Sequence, residues 1–329
     1  MTRPLSRFFL LLMLCCLPRP GAVRADAPAS VTVARVDYQG WRDCVLLGNG
    51  AVEAVVVPAV GRVMQFRFAG AREGPFWENG ALHGSRREPA AAEWSNFGGD
   101  KAWPAPQADW PRRIRRGWPP PGGFDGAAME AVADTAGVTL ISKVDPDYGI
   151  RVRRRIELLP GRPVMIITTR FEKVLGPAIE VAVWTIAQAR DPAAVYALPP
   201  PGGPAGPAYA CLSPALPPSL TVSGGLISLV RDPAANHKIG VRSGSLVWIG
   251  ADAVLRLDAD VAAGARYPDE GSSAEIYTEA DPLPYVELEM LGPLATPEVG
   301  AAIVHRVTYT LARRTAPTPA AEIQRLLHP

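Results

Sequence analysis

Residues 151–158 read Arg151-Val152-Arg153-Arg154-Arg155-Ile156-Glu157-Leu158, and this stretch decides the fold class. Charged and aliphatic residues alternate along it, so a β-strand would turn its charges to water and its aliphatic side chains inward. Arg154 interrupts the alternation, which predicts a slip at that residue. The same two-residue period recurs through the chain, and turn residues such as Gly48-Asn49-Gly50 and Pro160-Gly161-Arg162-Pro163 separate the runs.

This period predicts about fourteen strands and one short helix, Ala320 to Leu327. The predicted strands are Val31–Val36, Ala51–Val57, Arg62–Phe68, Val138–Val144, Arg151–Leu159, Val164–Glu172, Ile179–Gln188, Leu220–Val230, Lys238–Arg242, Leu246–Ile249, Ala253–Leu257, Ala274–Thr278, Tyr285–Leu291 and Ile303–Leu311. We therefore expect an all-β protein, a large antiparallel β-sandwich with long irregular loops and almost no helix.

Two long loops interrupt the predicted strands. The segment from Trp77 to Asp125 holds five of the eight tryptophans, and its many prolines argue against a core strand, so we predict a stiff, irregular loop. Indole faces beside polar tips are typical of sugar-binding surfaces. The alternative is that these tryptophans close one end of the sandwich core. The second loop, Leu198 to Pro218, is rich in proline and glycine and is predicted to be a surface excursion.

The N-terminus has the features of a secretory signal. Arg3 and Arg7 precede an apolar run from Phe8 to Leu17, and Val23-Arg24-Ala25 ends in a small-residue cleavage site. The run of about ten apolar residues is too short to span a bilayer of about 30 Å. We expect export to the periplasm or the medium, and the context of the signal cysteines favours lipid anchoring less. The predicted domains are a signal peptide (1–25), one β-domain (26–315) and a tail with a short helix (316–329).

Charge and composition exclude several classes of partner and cofactor. The net charge of +2 gives no field for nucleic acid, and no later segment has the length of a membrane helix, so neither partner is expected. The basic run Arg112 to Arg116 is either a solvated loop or a contact for an acidic ligand. Cys44 and Cys211 form a disulfide or stay free thiols. Neither metal-ligand spacing nor a nucleotide-binding glycine motif is present, so no cofactor is expected.

Four motifs together resemble an uncharacterised bacterial family of unknown function that is grouped with the galactose-mutarotase-like sugar-binding proteins. They are Gly98 to Gln107 (Gly-Gly-Asp-Lys-x-Trp-Pro-x-Pro-Gln), Trp118-Pro119-Pro120-Pro121, Asp145 to Ile150, and Tyr285 to Pro293. The first motif is the most specific, and the resemblance covers nearly all of the chain after the signal. It implies a β-supersandwich with a carbohydrate cleft on one sheet face, and it implies no particular reaction.

Comparison with the mutarotases themselves suggests catalytic candidates. Leu82-His83-Gly84 is similar to the context of the mutarotase acid, and Glu287 or Glu289 is similar to the late glutamate base. The histidine that mutarotases carry on a central strand has no match, because the corresponding strand here reads Ala182 to Gln188. Alternation places both glutamates on one face of their strand, which suits an acid–base role or sugar recognition, or else a solvated face.

Further residues are candidates for sugar contacts. Asp100 and Lys101 follow two glycines that let the backbone approach a ligand, and they are suited to hydroxyl groups. Gln107 is an amide reader, while Trp103 and Trp118 offer stacking surfaces. The remaining candidate contacts are Asp125, Trp184 and Gln188.

The function expected from these residues is an exported carbohydrate-binding protein of the mutarotase-like class with aldose 1-epimerase activity. Two alternatives remain open at this point. One is a polysaccharide lyase or hydrolase that acts on uronate glycans, to which the arginines of residues 112–116 would be suited. The other is a non-catalytic envelope module in which the tryptophan cluster is core.

Overall fold

The computed structural model describes residues 30–87, 93–198 and 209–328. The predicted signal peptide, residues 1–25, lies outside these ranges, and so does part of the loop predicted from Leu198 to Pro218. The strands, in chain order, are β1 (Thr32–Tyr38), β2 (Trp41–Gly48), β3 (Val52–Val57), β4 (Arg62–Phe68), β5 (Asp100–Ala105), β6 (Glu130–Ala133), β7 (Gly137–Asp145), β8 (Ile150–Leu158), β9 (Val164–Lys173), β10 (Ala182–Arg190), β11 (Ala194–Leu198), β12 (Tyr209–Cys211), β13 (Thr221–Ser223), β14 (Leu226–Leu229), β15 (His237–Val241), β16 (Ser245–Ile249), β17 (Ala253–Ala259), β18 (Ala274–Thr278), β19 (Tyr285–Leu291) and β20 (Ala302–Arg313).

In the described part of the chain these strands form two antiparallel sheets of ten strands each. The first sheet has the order β1-β2-β3-β4-β5-β10-β19-β18-β15-β12, and the second has the order β13-β14-β11-β16-β17-β20-β9-β8-β7-β6. The main core lies between the sheets, where aliphatic side chains such as Val286 and Leu288 from the first face Ile156, Ile167 and Leu255 from the second. The predicted large antiparallel β-sandwich is confirmed.

Strand β8 alternates without a break, so the slip predicted at Arg154 is wrong. Every second residue of the strand is buried, and Arg154 is one of them, 1% exposed. Its guanidinium forms an ion pair with the buried carboxylate of Asp100 on the opposite sheet. Tyr309 donates a hydrogen bond to the other oxygen of Asp100 at 2.5 Å. The alternation holds because Asp100 and Tyr309 supply polar partners for a charge inside the core.

Strand β5 lies inside the tryptophan-rich segment that the sequence predicted to be irregular, and this part of the prediction is wrong. The strand pairs with β10 over its whole length, from Asp100 opposite Ala187 to Ala105 opposite Ala182. On its other side it pairs with β4 at a single position, Val63 opposite Asp100. Pro104 is tolerated because beyond Asp100 no strand pairs with that side, so the ladder loses no bond to the missing N–H.

Other strands were missed because their residues show no period of two. All five residues of β11 are buried, and β2 mixes buried and exposed residues without a period of two. The segment predicted as one strand from Leu220 to Val230 is a hairpin. It turns at Gly224 and Gly225, whose φ angles of 58° and 83° favour glycine.

The described residues contain three short helices, α1 (Trp110–Ile114), α2 (Pro268–Gly271) and α3 (Pro319–Leu327). Only α3 was expected from the sequence, and the side chain of Thr318 caps it by accepting a hydrogen bond from the amide of Ala321 at 3.1 Å. No helix in the described ranges has the length and apolar content needed to cross a membrane.

Candidate functional site

The central strands of the first sheet carry a row of polar and aromatic side chains on the face turned away from the core. Residues paired across neighbouring strands project to the same side of a sheet. In that register Trp103 lies opposite Trp184, and Glu287 lies opposite Gln188. The row on β5, β10 and β19 contains six of the predicted site residues, Lys101, Trp103, Trp184, Gln188, Glu287 and Glu289.

Lys101 and Glu287 form a buried ion pair in this row. The ammonium nitrogen lies 2.8 Å from Oε1 of Glu287, and 4.8 Å from the ring centroid of Trp103. Burial lowers the pKa of Lys101 and raises the pKa of Glu287, and the charge of each partner opposes the shift of the other. Glu287 is 7% exposed, whereas Glu289 is fully buried. Of the two glutamates, Glu287 is therefore the one that reaches solvent.

A second charged group adjoins the first and includes two residues that sequence reasoning missed, Glu275 and Lys238. The Nζ of Lys238 lies 2.6 Å from Glu275 and 3.0 Å from Glu289. Trp184 donates its indole N–H to Glu289 at 2.6 Å. Burial raises the pKa of Glu275 well above its ordinary value, and Lys238 opposes that shift only in part. Burial alone would lower the pKa of Lys238, but the negative charges of Glu275 and Glu289 together raise it above its ordinary value.

Three side chains of this face hold buried polar atoms without a hydrogen-bond partner among the described residues. Both polar atoms of the Gln188 amide are unpartnered, as are Oε1 of Glu275 and Oε1 of Glu289. A buried polar atom left unpaired costs about 1–3 kcal/mol. A ligand rich in hydroxyl groups would satisfy these donors and acceptors, which makes the row the candidate binding site.

Asp100 and Asp125 lie next to this face with their carboxylates engaged by protein groups. Asp100 points into the core, toward Arg154 and Tyr309. Asp125 pairs with Arg62 at 2.5 Å. It also accepts the indole N–H of Trp94 at 2.8 Å and that of Trp103 at 3.0 Å. The structure therefore places Asp100 between the sheets and Asp125 behind the tryptophans, where it fixes their orientation.

Four of the five tryptophans of the segment from Trp77 to Asp125 form one aromatic cluster beside the ion pair, and Trp77 instead contacts Tyr285. Trp103 has edge contacts with Trp94, Trp110, Trp118 and Trp184 at centroid distances of 5.4–5.8 Å. Most of the cluster is buried, but Trp118 is 45% exposed. The two interpretations of these tryptophans thus apply to different members, because Trp110 is core whereas Trp118 is surface.

Gln107 and His83 lie outside the row on β5, β10 and β19. Gln107 is half-buried at the start of a single 3₁₀ turn after β5. His83 follows another 3₁₀ turn, and its Nε2 lies 3.3 Å from Oε2 of Glu78. Glu78 also accepts hydrogen bonds from Tyr38 and Gln65, both at 2.5 Å. A cavity of about 270 Å³ adjoins this group. Among the described ion pairs, His83 contacts Glu78 and none of the glutamates of β19.

The alternation of β18 held a signal for Glu275. In Ala274-Glu275-Ile276-Tyr277-Thr278 a strand places Glu275 and Tyr277 on the face opposite to Ile276. What the sequence could not show is that β18 lies beside β19, which brings Glu275 opposite Glu289.

The described ranges show the arrangement of the potential metal-binding side chains and the state of the two cysteines. No group of three or more histidine, cysteine, aspartate or glutamate side chains there has the geometry to hold a metal ion. Both cysteines after the predicted signal have free thiols, Cys44 buried and Cys211 exposed.

Several solved structures with similar folds are described as galactose mutarotase-like proteins or aldose 1-epimerases. A galactose mutarotase-like protein from Lactobacillus casei has a TM-score of 0.55 and 9% identity, covering 82% of this chain and 100% of its own. A galactose mutarotase related enzyme from Lactobacillus acidophilus has a TM-score of 0.54 and 9% identity, over 84% of this chain and 98% of its own. A proposed aldose 1-epimerase from Klebsiella pneumoniae has a TM-score of 0.57 and 8% identity, covering 91% of this chain and 86% of its own. These likenesses show the galactose mutarotase-like fold.

Comparisons by sequence give no match. No protein-family model matches the chain, and a search of curated proteins finds no relative. The function is therefore inferred from the arrangement of this chain's own residues.

Proposed function

We propose that the protein binds a carbohydrate on the outer face of β5, β10 and β19 and interconverts its anomers there. The observation that carries the proposal is the set of buried, unpartnered polar atoms on Gln188, Glu275 and Glu289. They lie beside the indoles of Trp103 and Trp184, on a sheet of the galactose mutarotase-like fold. Hydroxyl groups match the polar atoms, and an indole matches the apolar face of a sugar ring.

Anomer exchange needs a base at the anomeric hydroxyl and an acid at the ring oxygen of the reacting hemiacetal. The base takes the proton of the anomeric hydroxyl while the acid protonates the ring oxygen, and the bond between the ring oxygen and the anomeric carbon breaks. Rotation of the open-chain aldehyde and the reverse proton transfers give the other anomer. We assign the base to Glu287, because it reaches solvent and Lys101 holds its carboxylate in place.

Two side chains are candidates for the acid. His83 is the residue that the sequence predicted, and its Nε2 makes no hydrogen bond in the described part of the chain. Glu275 is the second candidate. Three carboxyl groups, those of Glu275, Glu287 and Glu289, here face only the two ammonium groups of Lys101 and Lys238. Burial raises the pKa of Glu275 well above its ordinary value, which favours the protonated carboxyl that an acid needs.

NMR exchange spectroscopy tests both the activity and the acid. Wild-type protein should accelerate α–β interconversion of an aldose such as galactose or glucose beyond the buffer rate. If His83 is the acid, His83→Gln loses about 10²–10⁴-fold in rate while Glu275→Gln keeps it, and the reverse holds if Glu275 is the acid. Binding of sugars without any acceleration would reduce the proposal to a binding module. Binding of none would favour the structural role of the tryptophan cluster.

Export and family membership belong to the same proposal. The charged start, apolar run and cleavage site of residues 1–25 support export to the periplasm or the medium. The motif from Gly98 to Gln107 supports membership of an uncharacterised bacterial family grouped with galactose-mutarotase-like proteins. N-terminal sequencing of protein recovered from the periplasm would test export, with cleavage after Ala25 as the expected result.

A further inference from the structure

We propose that the ligand is an acidic oligosaccharide, one unit of which stacks on Trp118 beside Arg115 and Arg116, which follow α1, while another occupies the Glu287 face. This inference rests on the proposed carbohydrate-binding function and names its substrate class. It is carried by a continuous aromatic path from the buried ion pair to the surface and by unpaired positive charge where that path ends.

The aromatic path begins at Lys101, whose ammonium lies 4.8 Å from the ring centroid of Trp103 and 5.7 Å from that of Trp94. Trp118 contacts both rings, at 5.8 Å from Trp103 and 5.0 Å from Trp94. The buried ion pair and the exposed indole are thus separated by a single layer of aromatic rings. A ligand of one sugar ring on the Glu287 face would leave Trp118 uncovered.

Trp118 packs against neighbouring rings although it is 45% exposed. It stacks on Trp110 with an interplanar angle of 24° and a centroid distance of 6.2 Å. The prolines that follow it, Pro119 to Pro121, are buried. Arg116 donates to the carbonyl of Pro119 at 3.2 Å, which ties the loop to the end of α1. A fixed, exposed indole loses little conformational entropy when a sugar ring covers it.

The surface beside Trp118 carries positive charge that the described residues do not neutralise. Asp109 pairs with Arg112 at 2.8 Å and lies 3.9 Å from Arg113. Arg115 and Arg116 are exposed and form no ion pair with any residue in the described ranges. Guanidinium groups beside a stacking surface match carboxylate or sulfate groups on a sugar. A neutral glycan would leave this charge without a partner.

Calorimetric titration of the full protein tests the inference with five probes: a linear trigalacturonate, its carboxyl-reduced neutral trimer, a sulfated trimer of the same backbone, and monomeric galacturonate and galactose. The acidic trimers should bind about fivefold more tightly than the neutral trimer, because an exposed guanidinium pair contributes about 1 kcal/mol whereas the stacked ring is common to all three trimers. Equal affinity of the carboxylated and sulfated trimers means that the site reads charge, and a preference for one names the acidic group.

The variants separate this inference from the proposed function. Trp118→Ala and, independently, Arg115→Gln should weaken the acidic trimer several-fold and leave monomer affinity unchanged. Arg306→Gln removes an exposed arginine from the second sheet and should change neither affinity. Monomer binding with no gain for acidic trimers, or trimer binding that both variants leave intact, overturns the inference while the proposed function stands. Failure of every probe to bind overturns both.

Discussion

The ammonium group of Lys101 lies 2.8 Å from the carboxylate of Glu287, and both side chains are at least nine-tenths buried. Two opposite charges taken out of water together hold each other in place, because either one alone would carry an uncompensated desolvation cost. The pair holds the carboxylate of Glu287 in place. Of the two glutamates of β19 on this face, Glu287 is the one that reaches solvent. Its position beside Trp103 joins the charged row to the aromatic cluster.

Replacing Glu287 by glutamine should abolish anomer exchange. The amide cannot take the proton of the anomeric hydroxyl, so the rate should fall by at least about 10²-fold. The buried Lys101 loses its counter-charge, and unfolding should become easier by about 3 kcal/mol. NMR exchange and urea unfolding measure the two effects. An unchanged exchange rate would remove Glu287 from the mechanism, and Glu289→Gln serves as the matched comparison on the same strand face.

The Asp100–Arg154 pair should stabilise the sandwich as a unit. Arg154→Met leaves the carboxylate of Asp100 buried with only Tyr309 as partner and should cost about 3–5 kcal/mol. The double variant Asp100→Leu with Arg154→Met removes both charges and should recover part of that loss. Thermal unfolding of the single and double variants measures the coupling. Additive losses would show that the two charges do not depend on each other.

The sequence was sufficient to predict the fold class, since period-two alternation shows directly which strands have one face in the core. It failed where a tertiary partner decides the conformation. Pro104 argued against a strand at β5, because proline has no N–H to donate to a neighbouring strand. Whether that N–H is needed depends on the order of the strands in the sheet. Arg154 looked like a slip because its partner, Asp100, is distant in the chain and lies on the other sheet.

Glu275→Gln should make the protein more stable at neutral pH. Burial raises the folded-state pKa of Glu275, so folding requires a proton that the unfolded chain releases above its ordinary pKa of about 4.3. The contribution of Glu275 to the free energy of unfolding is fully present below this unfolded-state pKa. It is lost as the pH rises through the pKa of Glu275 in the folded state. The gain of the glutamine variant should therefore shrink from pH 7 toward pH 4. Urea unfolding at both pH values measures it, and a variant that is less stable at pH 7 would show an ionised Glu275 that depends on Lys238.

His305 should make the protein lose stability in mild acid. Burial lowers its folded-state pKa from 6.5 to about 4. The unfolded chain therefore binds a proton that the folded state refuses, and stability falls as the pH drops from about 6.5 toward 4, by up to roughly 3 kcal/mol. His305→Gln should flatten this part of the stability profile, as measured by chemical unfolding across that range. Equal slopes for the two proteins would mean that His305 titrates normally in the folded state.

The candidate site could be predicted only in part, and for the same physical reason as the fold. Alternation placed Glu287 and Glu289 on one strand face, and the tryptophan-rich segment indicated where aromatic rings gather. Alternation also gave the strand face of Glu275, but the grouping of Glu275 with Lys238 and Glu289 arises only because β15, β18 and β19 lie side by side. The orientation of Asp100 likewise depends on the opposite sheet, which no local pattern encodes.

Binding of a sugar on the Glu287 face is tested most directly by a thermal-shift screen of the protein against mono- and oligosaccharides, uronates included. A ligand at about 100 times its dissociation constant should stabilise the fold by about 2.7 kcal/mol, a shift of a few degrees. We expect a sugar-specific shift that disappears in Glu287→Gln or Trp103→Ala and persists in Arg306→Gln. A shift that survives both site variants would place the sugar elsewhere, and no shift with any saccharide would contradict the account.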